Sequence, residues 1–183
     1  MSTVTLVTGN PNKLKELQAI APASLELSSQ EIDLPEIQSL DLREIIEDKV
    51  KRAFDIVNGP VIVEDVSAGL DDLGGLPGPF YKFFREKLGD SILFKLASIS
   101  KSNRVTVRCT AAYYDGINLL FGNGVIQGVV VEPRGENGFG FDPVIMPDGE
   151  ARTMAEMLPE EKNKISHRGR AFRDLLRQIE TLK

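Results

Sequence analysis

A helical stripe lies between two strand-like runs, and that arrangement leaves this chain few ways to fold. Leu42, Ile45, Ile46, Val50, Ala53, Phe54 and Val57 recur at helical spacing, which predicts an amphipathic helix over residues 40–57. Asn58-Gly59-Pro60 stops it, with Gly in the C-terminal position and Pro just beyond. Residues 25–32 before the helix and 61–65 after it read as strands. A strand, a helix and a strand in succession predict parallel pairing across a crossover.

The alternation starts earlier and changes character later. Residues 3–8 predict a strand and 11–21 a helix, whereas Gly- and Pro-rich residues 69–79 predict a loop. Two helices are expected at about 80–88 and 91–99, then a long strand over 104–114. Asp115-Gly116 suits a hairpin turn into strands at 117–121 and 125–132. A glycine-bearing loop, Pro133 to Gly140, leads to a strand over 142–146. Phe172, Leu175, Leu176 and Ile179 mark an amphipathic final helix. The expected fold is α/β with a mixed sheet and flanking helices. No repeat or linker divides the 183 residues, so one domain over 1–183 is expected.

Composition narrows the class of partner. A formal net charge of −5 argues against a nucleic-acid polymer, whose binders carry basic stripes that release phosphate counterions. A small polyanion remains compatible, because a few focused lysines outweigh a distant acidic surface. One cysteine, Cys109, excludes an internal disulfide and fits a reducing compartment. The opening Met1-Ser2-Thr3-Val4 lacks signal-peptide features, and no apolar run is long enough to span a bilayer. A cytoplasmic enzyme, with no membrane partner, is the expectation.

Three stretches carry chemistry. Thr8-Gly9-Asn10-Pro11-Asn12-Lys13 joins a strand to a helix, with Asn10 suited to the N-cap and Pro11 to the first helical position. Such a helix start offers unpaired N–H groups to an anion, and Lys13 lies one turn in; an ordinary capped helix with an exposed lysine is equally compatible. It is not a Walker A loop, because the second glycine and the Lys-Ser/Thr pair are missing. Glu64-Asp65 is expected to end an apolar strand, where one carboxylate of the two can bind a hard metal or orient water; a pair of solvated turn acids is equally compatible. Glu36 is a further acid after Asp33-Leu34-Pro35, and no His/Cys cluster offers a zinc site.

Lys49 falls inside the apolar stripe of helix 40–57, which predicts an inward-facing lysine rather than a snorkelling one. Lys82 has no such argument and reads as surface. Glu161-Lys162-Asn163 and Ser166-His167-Arg168 gather donors just before the last helix, and His167 is the only histidine. Phe139 and Phe141, in Gly138-Phe139-Gly140-Phe141-Asp142, read as loop aromatics that could stack on a flat ligand. Gly122, Gly124 and Gly128 miss the dinucleotide-binding spacing.

Six motifs in order resemble the inosine triphosphate pyrophosphatase family. They are Thr8-Gly9-Asn10 with Lys13, Asp33-Leu34-Pro35-Glu36, Glu64-Asp65, Leu73 through Pro79, Gly138 through Pro143, and Glu161-Lys162-Asn163 with Ser166-His167-Arg168. The resemblance implies an elongated α/β protein whose two lobes flank a nucleotide-binding cleft, usually dimeric. It also implies hydrolysis of non-standard purine triphosphates such as ITP, dITP and XTP to the monophosphate and pyrophosphate. By the same resemblance Thr8, Gly9, Asn10 and Lys13 hold the triphosphate, with Lys49 in support. Glu36 and Asp65 bind Mg²⁺, with Mn²⁺ a possible substitute, and Asp65 accepts the proton of the attacking water. Lys82 and Lys162 contact the nucleotide. Phe139, Gly140 and Phe141 line the base, while Asp142, His167 and Arg168 read its edge.

Two positions depart from the family pattern. Val66 stands where Thr or Ser is usual, so a hydrogen bond is lost or passes to Ser67; Phe141 stands where relatives often carry Trp or Tyr. A related pyrophosphatase for modified pyrimidine nucleotides, or a nucleotide sensor with weak hydrolysis, are the competing readings.

Overall fold

A computed structural model describes residues 3–182. The chain runs β1 (Val4–Val7), α1 (Pro11–Gln18), β2 (Leu27–Gln30), α2 (Leu42–Val57), β3 (Val61–Leu70), β4 (Pro77–Gly78), α3 (Tyr81–Leu88) and α4 (Ile92–Ile99). It continues with β5 (Arg104–Tyr114), β6 (Leu119–Val130), β7 (Ile145–Pro147), α5 (Pro159–Ile165) and α6 (His167–Glu180). The strands form a seven-stranded sheet in the order β2-β1-β3-β5-β6-β7, with β4 on β3. β1 is parallel to β2 and β3, whereas β4 on β3 and β7 on β6 are antiparallel. The α/β class and the mixed sheet agree with the sequence.

The chain divides into two compact units, each assembled from separate stretches. The first takes in the chain as far as Asp65, Cys109–Gly124 and everything from Arg168 on; the second takes in Val66–Arg108 and Val125–His167.

In the first unit the α2 stripe behaves as its spacing requires. Ile46, Val50 and Ala53 pack with Val7 of β1, Leu34, Val61 and Val63 of β3, and Ala112 of β5. Ile46, Val50 and Ala53 are fully out of water, and burying a side chain the size of isoleucine contributes about 1.5–3 kcal/mol. Asp41 caps the helix, its Oδ1 accepting the Arg43 N–H at 2.8 Å. The stop differs in detail from expectation. Asn58, not Gly59, takes the left-handed position with φ 54°, which its short polar side chain tolerates. α6 buries Phe172 and Leu175 completely, as its pattern predicts.

The second unit has its own core. Ala68 and Leu70 of β3, Ile92, Leu93 and Ala97 of α4, Val105 and Val107 of β5, and Ile126 and Val130 of β6 pack with Tyr81, Phe141, Ile145 and Met154. Val66 packs against the same cluster.

Five elements need correction. α1 ends at Gln18 rather than 21, and β2 is confined to Leu27–Gln30. The strand expected to end at Asp65 runs on to Leu70, so Glu64 and Asp65 lie mid-strand; Leu70 N–H donates to Leu76 O at 3.0 Å as the next loop folds back. β6 is one strand where two are expected, because Gly122 does not interrupt it. A Cβ there would come 2.2 Å from Ala171 O, so this glycine lets the strand approach α6 closely. Residues 142–144 form a short 3₁₀ turn, and only then does β7 begin. No helix among the described residues is long and apolar enough to cross a membrane.

Candidate active site

The first unit gathers its charges around the turn after β1 and the middle of β3. Thr8 Oγ1 accepts the Asn10 N–H at 3.1 Å, and Asn10 Oδ1 accepts the Asn12 N–H at 3.0 Å. These bonds fix the chain's entry into α1, with Asn10 as the cap and Pro11 next, as the sequence predicts. Lys13, one turn in, is ion-paired with Glu64 Oε1.

Alternation along β3 sends its two carboxylates to different surroundings. Glu64 is buried and Asp65 only half-buried. Glu64 Oε2 accepts from Arg168 Nε at 3.2 Å and from the Cys109 thiol at 3.4 Å. Arg168 Nη1 reaches Glu16 Oε2 at 2.9 Å. Burial alone would push the Glu64 carboxyl up, but the Lys13 and Arg168 charges outweigh it and hold it well below the usual carboxylate range. Burial likewise opposes the charge of Arg168, and Glu64 and Glu16 more than restore it. Burial, then the Glu64 charge, lifts the Cys109 thiol well above its ordinary value, so it is a neutral donor and not a nucleophile.

Lys49 faces inward, as its place on the stripe requires. Its Nζ lies 2.6 Å from Glu36 Oε1, with the two side chains 15% and 26% exposed. Burial opposes its charge, but Asp65 and then Glu36 raise it above the usual lysine value, so Asp65 stands within the same local field. Glu36 lies six residues beyond the end of β2, in chain that is neither helix nor strand.

The second unit gathers a different set. Asp142 is buried, and its Oδ2 accepts from Lys162 Nζ at 2.8 Å and from the Phe139 N–H at 2.8 Å. Gly138 permits this, with φ 83° and with no Cβ, which would fall 2.2 Å from Asp142 Oδ2. The Lys162 ammonium lies 4.9 Å from the centroid of the Phe139 ring. Lys162 and His167 are buried, whereas Lys82 on α3 is exposed.

Phe141 corrects an expectation. It is not a loop aromatic but a core residue, 7% exposed, with ring centroids 5.2 Å from Tyr81 and 5.5 Å from His167. Its ring packs with Tyr81, Val144 and Ile145 in the core of the second unit. Phe139, two residues away, stays half-buried beside Lys162.

Sequence reasoning noted Glu64 only as one of an acid pair and gave it no partner, though it anchors both Lys13 and Arg168, and it passed over Glu16, which shares Arg168. The available signal was the apolar face of β3: an acid on that face has to be paired, because lone buried carboxylates are rare. Tyr81 also went unnoticed; burial pushes its phenol up to about 12.

The carboxylates present fit a hard divalent cation. Among the described residues no group of three or more His, Cys, Asp or Glu gathers as a metal cage. Mg²⁺ ordinarily takes one or two carboxylates and completes its shell with water and substrate phosphates. Glu36 and Asp65 supply such oxygens, and a cation is already drawn to them in the form of the Lys49 ammonium.

Fold and side-chain sets together define an α/β protein equipped to hold a small polyanion. Residues 4–178 match the Ham1 family, and the chain belongs to that family. It is 43% identical over 175 residues to an inosine triphosphate pyrophosphatase of Emericella nidulans, covering 94% of this chain and 93% of that one. It is 44% identical over 172 residues to inosine triphosphate pyrophosphatase 2 of Trypanosoma cruzi, covering 92% and 88%. The solved structure of a HAM1 protein from Coxiella burnetii superposes with a TM-score of 0.85 at 28% identity, covering 99% of this chain and all of that one.

Proposed function

We propose that the chain is a nucleoside triphosphate pyrophosphatase for non-standard purine nucleotides, namely ITP, dITP and XTP. The observation that carries this reading is the inward Lys49 on Glu36 with Asp65 in the same field. An ammonium and two carboxylates in one half-buried place suit a metal-bound triphosphate. The names of the relatives from Emericella nidulans and Trypanosoma cruzi point the same way.

In this reading Thr8, Gly9, Asn10 and Lys13 hold the phosphates at the start of α1, where backbone N–H groups favour an anion. Glu36 and Asp65 hold Mg²⁺, for which Mn²⁺ can substitute. The ion supplies charge neutralisation on the phosphate oxygens. Asp65 takes the proton of the attacking water, the bond between the α and β phosphates breaks, and pyrophosphate leaves with the monophosphate as the other product. Lys49 and Lys82 add positive charge where negative charge builds up. Lys162, fixed by Asp142, presents its ammonium beside Phe139, the ring on which the base stacks, with Gly140 and Phe141 shaping that loop. Asp142, His167 and Arg168 read the base edge. Residues 1–183 act as one catalytic domain, because each unit is built from interleaved stretches of chain. The enzyme works in the cytoplasm as a homodimer.

Hypoxanthine and xanthine carry a carbonyl oxygen at C6, and adenine an amino group. Donors from His167 and Arg168 therefore suit a 6-keto purine and oppose adenine. A site built around a hydrogen bond rejects the analogue that cannot make it by roughly 10⁴-fold or more. Guanine shares the C6 carbonyl, so weaker discrimination against GTP is expected. The test is kcat/KM for pyrophosphate release from ITP, XTP, GTP, ATP and a modified pyrimidine triphosphate at one Mg²⁺ concentration. An ATP value within tenfold of ITP overturns the base reading, and preference for the pyrimidine moves the chain to another substrate class.

A further inference from the structure

A lysine and a divalent cation cannot comfortably share Glu36. The Lys49 ammonium lies 2.6 Å from Glu36 Oε1, both side chains are mostly withdrawn from water, and Asp65 contributes to the same field. Lys49 sits on α2 one turn from Ile46 and from Ala53, both buried residues of the stripe, so its ammonium has little freedom to leave for bulk solvent. Lys13 is committed to Glu64 in an ion pair, and Glu64 is further paired with Arg168. Lys49 also feels the Glu64 charge, but its ammonium is in hydrogen-bond contact with Glu36, with Asp65 the stronger of the other acids that act on it.

We propose that Lys49 is a placeholder cation: it occupies the Glu36 carboxylate while the protein is empty and gives it up to the metal only when a triphosphate arrives to take the ammonium. This rests on the assignment of Glu36 and Asp65 as metal ligands. A divalent ion arriving alone must displace the ammonium from Glu36 and then remain beside it, positive against positive, in a partly desolvated place where screening is weak. A triphosphate changes the balance by offering the ammonium its own anionic oxygens within reach of the same side chain. Metal and nucleotide then bind with positive coupling, and each raises the affinity of the other by the same factor. The device keeps the Glu36 carboxylate paired in the empty protein and discourages metal binding without substrate.

Lys49→Met removes the ammonium and suits the apolar stripe. Lys49→Gln keeps a polar group and guards against an effect of packing alone. The experiment is calorimetric titration of nucleotide-free protein with Mn²⁺, for the unaltered chain, both variants and Glu36→Gln in each background, with circular dichroism to check folding. Coupling of the usual strength corresponds to roughly 5- to 150-fold. Both lysine variants are expected to bind Mn²⁺ at least about fivefold tighter than the unaltered protein, with Glu36→Gln abolishing that gain. An ITP analogue with a non-hydrolysable α,β-bridge should tighten Mn²⁺ binding in the unaltered protein and do so far less in Lys49→Met. Equal or weaker Mn²⁺ binding in the lysine variants, with Glu36 still required, overturns the exchange and leaves the metal assignment standing. Indifference to Glu36→Gln in every background overturns both.

Discussion

Arg168 Nε rests 3.2 Å from Glu64 Oε2, with the two side chains only 5% and 1% exposed. A second carboxylate, Glu16, takes Nη1 of the same guanidinium, and Lys13 takes the other oxygen of Glu64. One buried acid and one half-buried acid thus meet two basic groups. The pairing ties the strand β3 to the first turns of α1 and to the start of α6. In this way a lysine proposed to hold phosphate is anchored from beneath.

Removing the shared acid should be costly. Glu64→Gln preserves the side-chain shape but leaves Lys13 and Arg168 facing a neutral amide. Breaking a buried pair in this way costs about 3–5 kcal/mol, and urea unfolding followed by circular dichroism measures it. A loss below about 1 kcal/mol, the range of an exposed pair, would show that the carboxylate contributes little.

Acid should expose the same group. The native Glu64 carboxyl is held below its ordinary value, so the native state binds its proton more weakly than the unfolded chain does. Its contribution is complete above the unfolded glutamate value, about 4.3, and is lost as pH falls through the lower native value. Urea midpoints measured downward from about pH 5, just above that unfolded value, should fall steadily, and Glu64→Gln should flatten part of that slope. Parallel slopes for the two proteins would remove Glu64 as the cause.

Gly138→Ala tests the loop that holds Asp142. The new methyl would meet Asp142 Oδ2 at 2.2 Å, on a backbone with φ 83°. Strain of this kind costs about 1–3 kcal/mol, and relief requires moving the carboxylate off Lys162 or off the Phe139 N–H. Both a lower urea midpoint and a higher KM for ITP are expected. A lower midpoint with KM unchanged would separate Asp142 from substrate recognition.

Asp65→Asn keeps the shape of the proposed base while removing its ability to take a proton, and it weakens a metal ligand. Turnover should fall by far more than tenfold, with the affinity for a non-hydrolysable ITP analogue largely kept. Retention of more than about a tenth of the activity, a barrier change under about 1.4 kcal/mol, would assign the proton to another group.

How much of this was legible beforehand differs from element to element. The cap at Asp41 was not read, since the helix is expected to start at 40. The α2 stripe and the inward Lys49 could be read directly, because helical periodicity is local and one turn of chain contains it. The start of α1 was legible for the same reason, since Asn10 and Pro11 act within three residues of themselves. The split fates of Glu64 and Asp65 followed in outline from strand alternation. The residues that would meet Glu64 did not, because Arg168 lies 104 positions away.

The sequence alone determined the α/β class, the mixed sheet and the motif set, all of which depend on spacings of a few residues. The tertiary structure decided where β3 ends, because a strand continues for as long as neighbours pair with it, and β4 pairs with Ala68 and Gly69. It also drew Phe141 into a core while leaving Phe139 half-buried, though only Gly140 separates them. It committed Arg168 to two acids, and it set Lys49 on Glu36. Those outcomes depend on which distant side chain arrives to share a desolvated space, and no local pattern encodes that arrival.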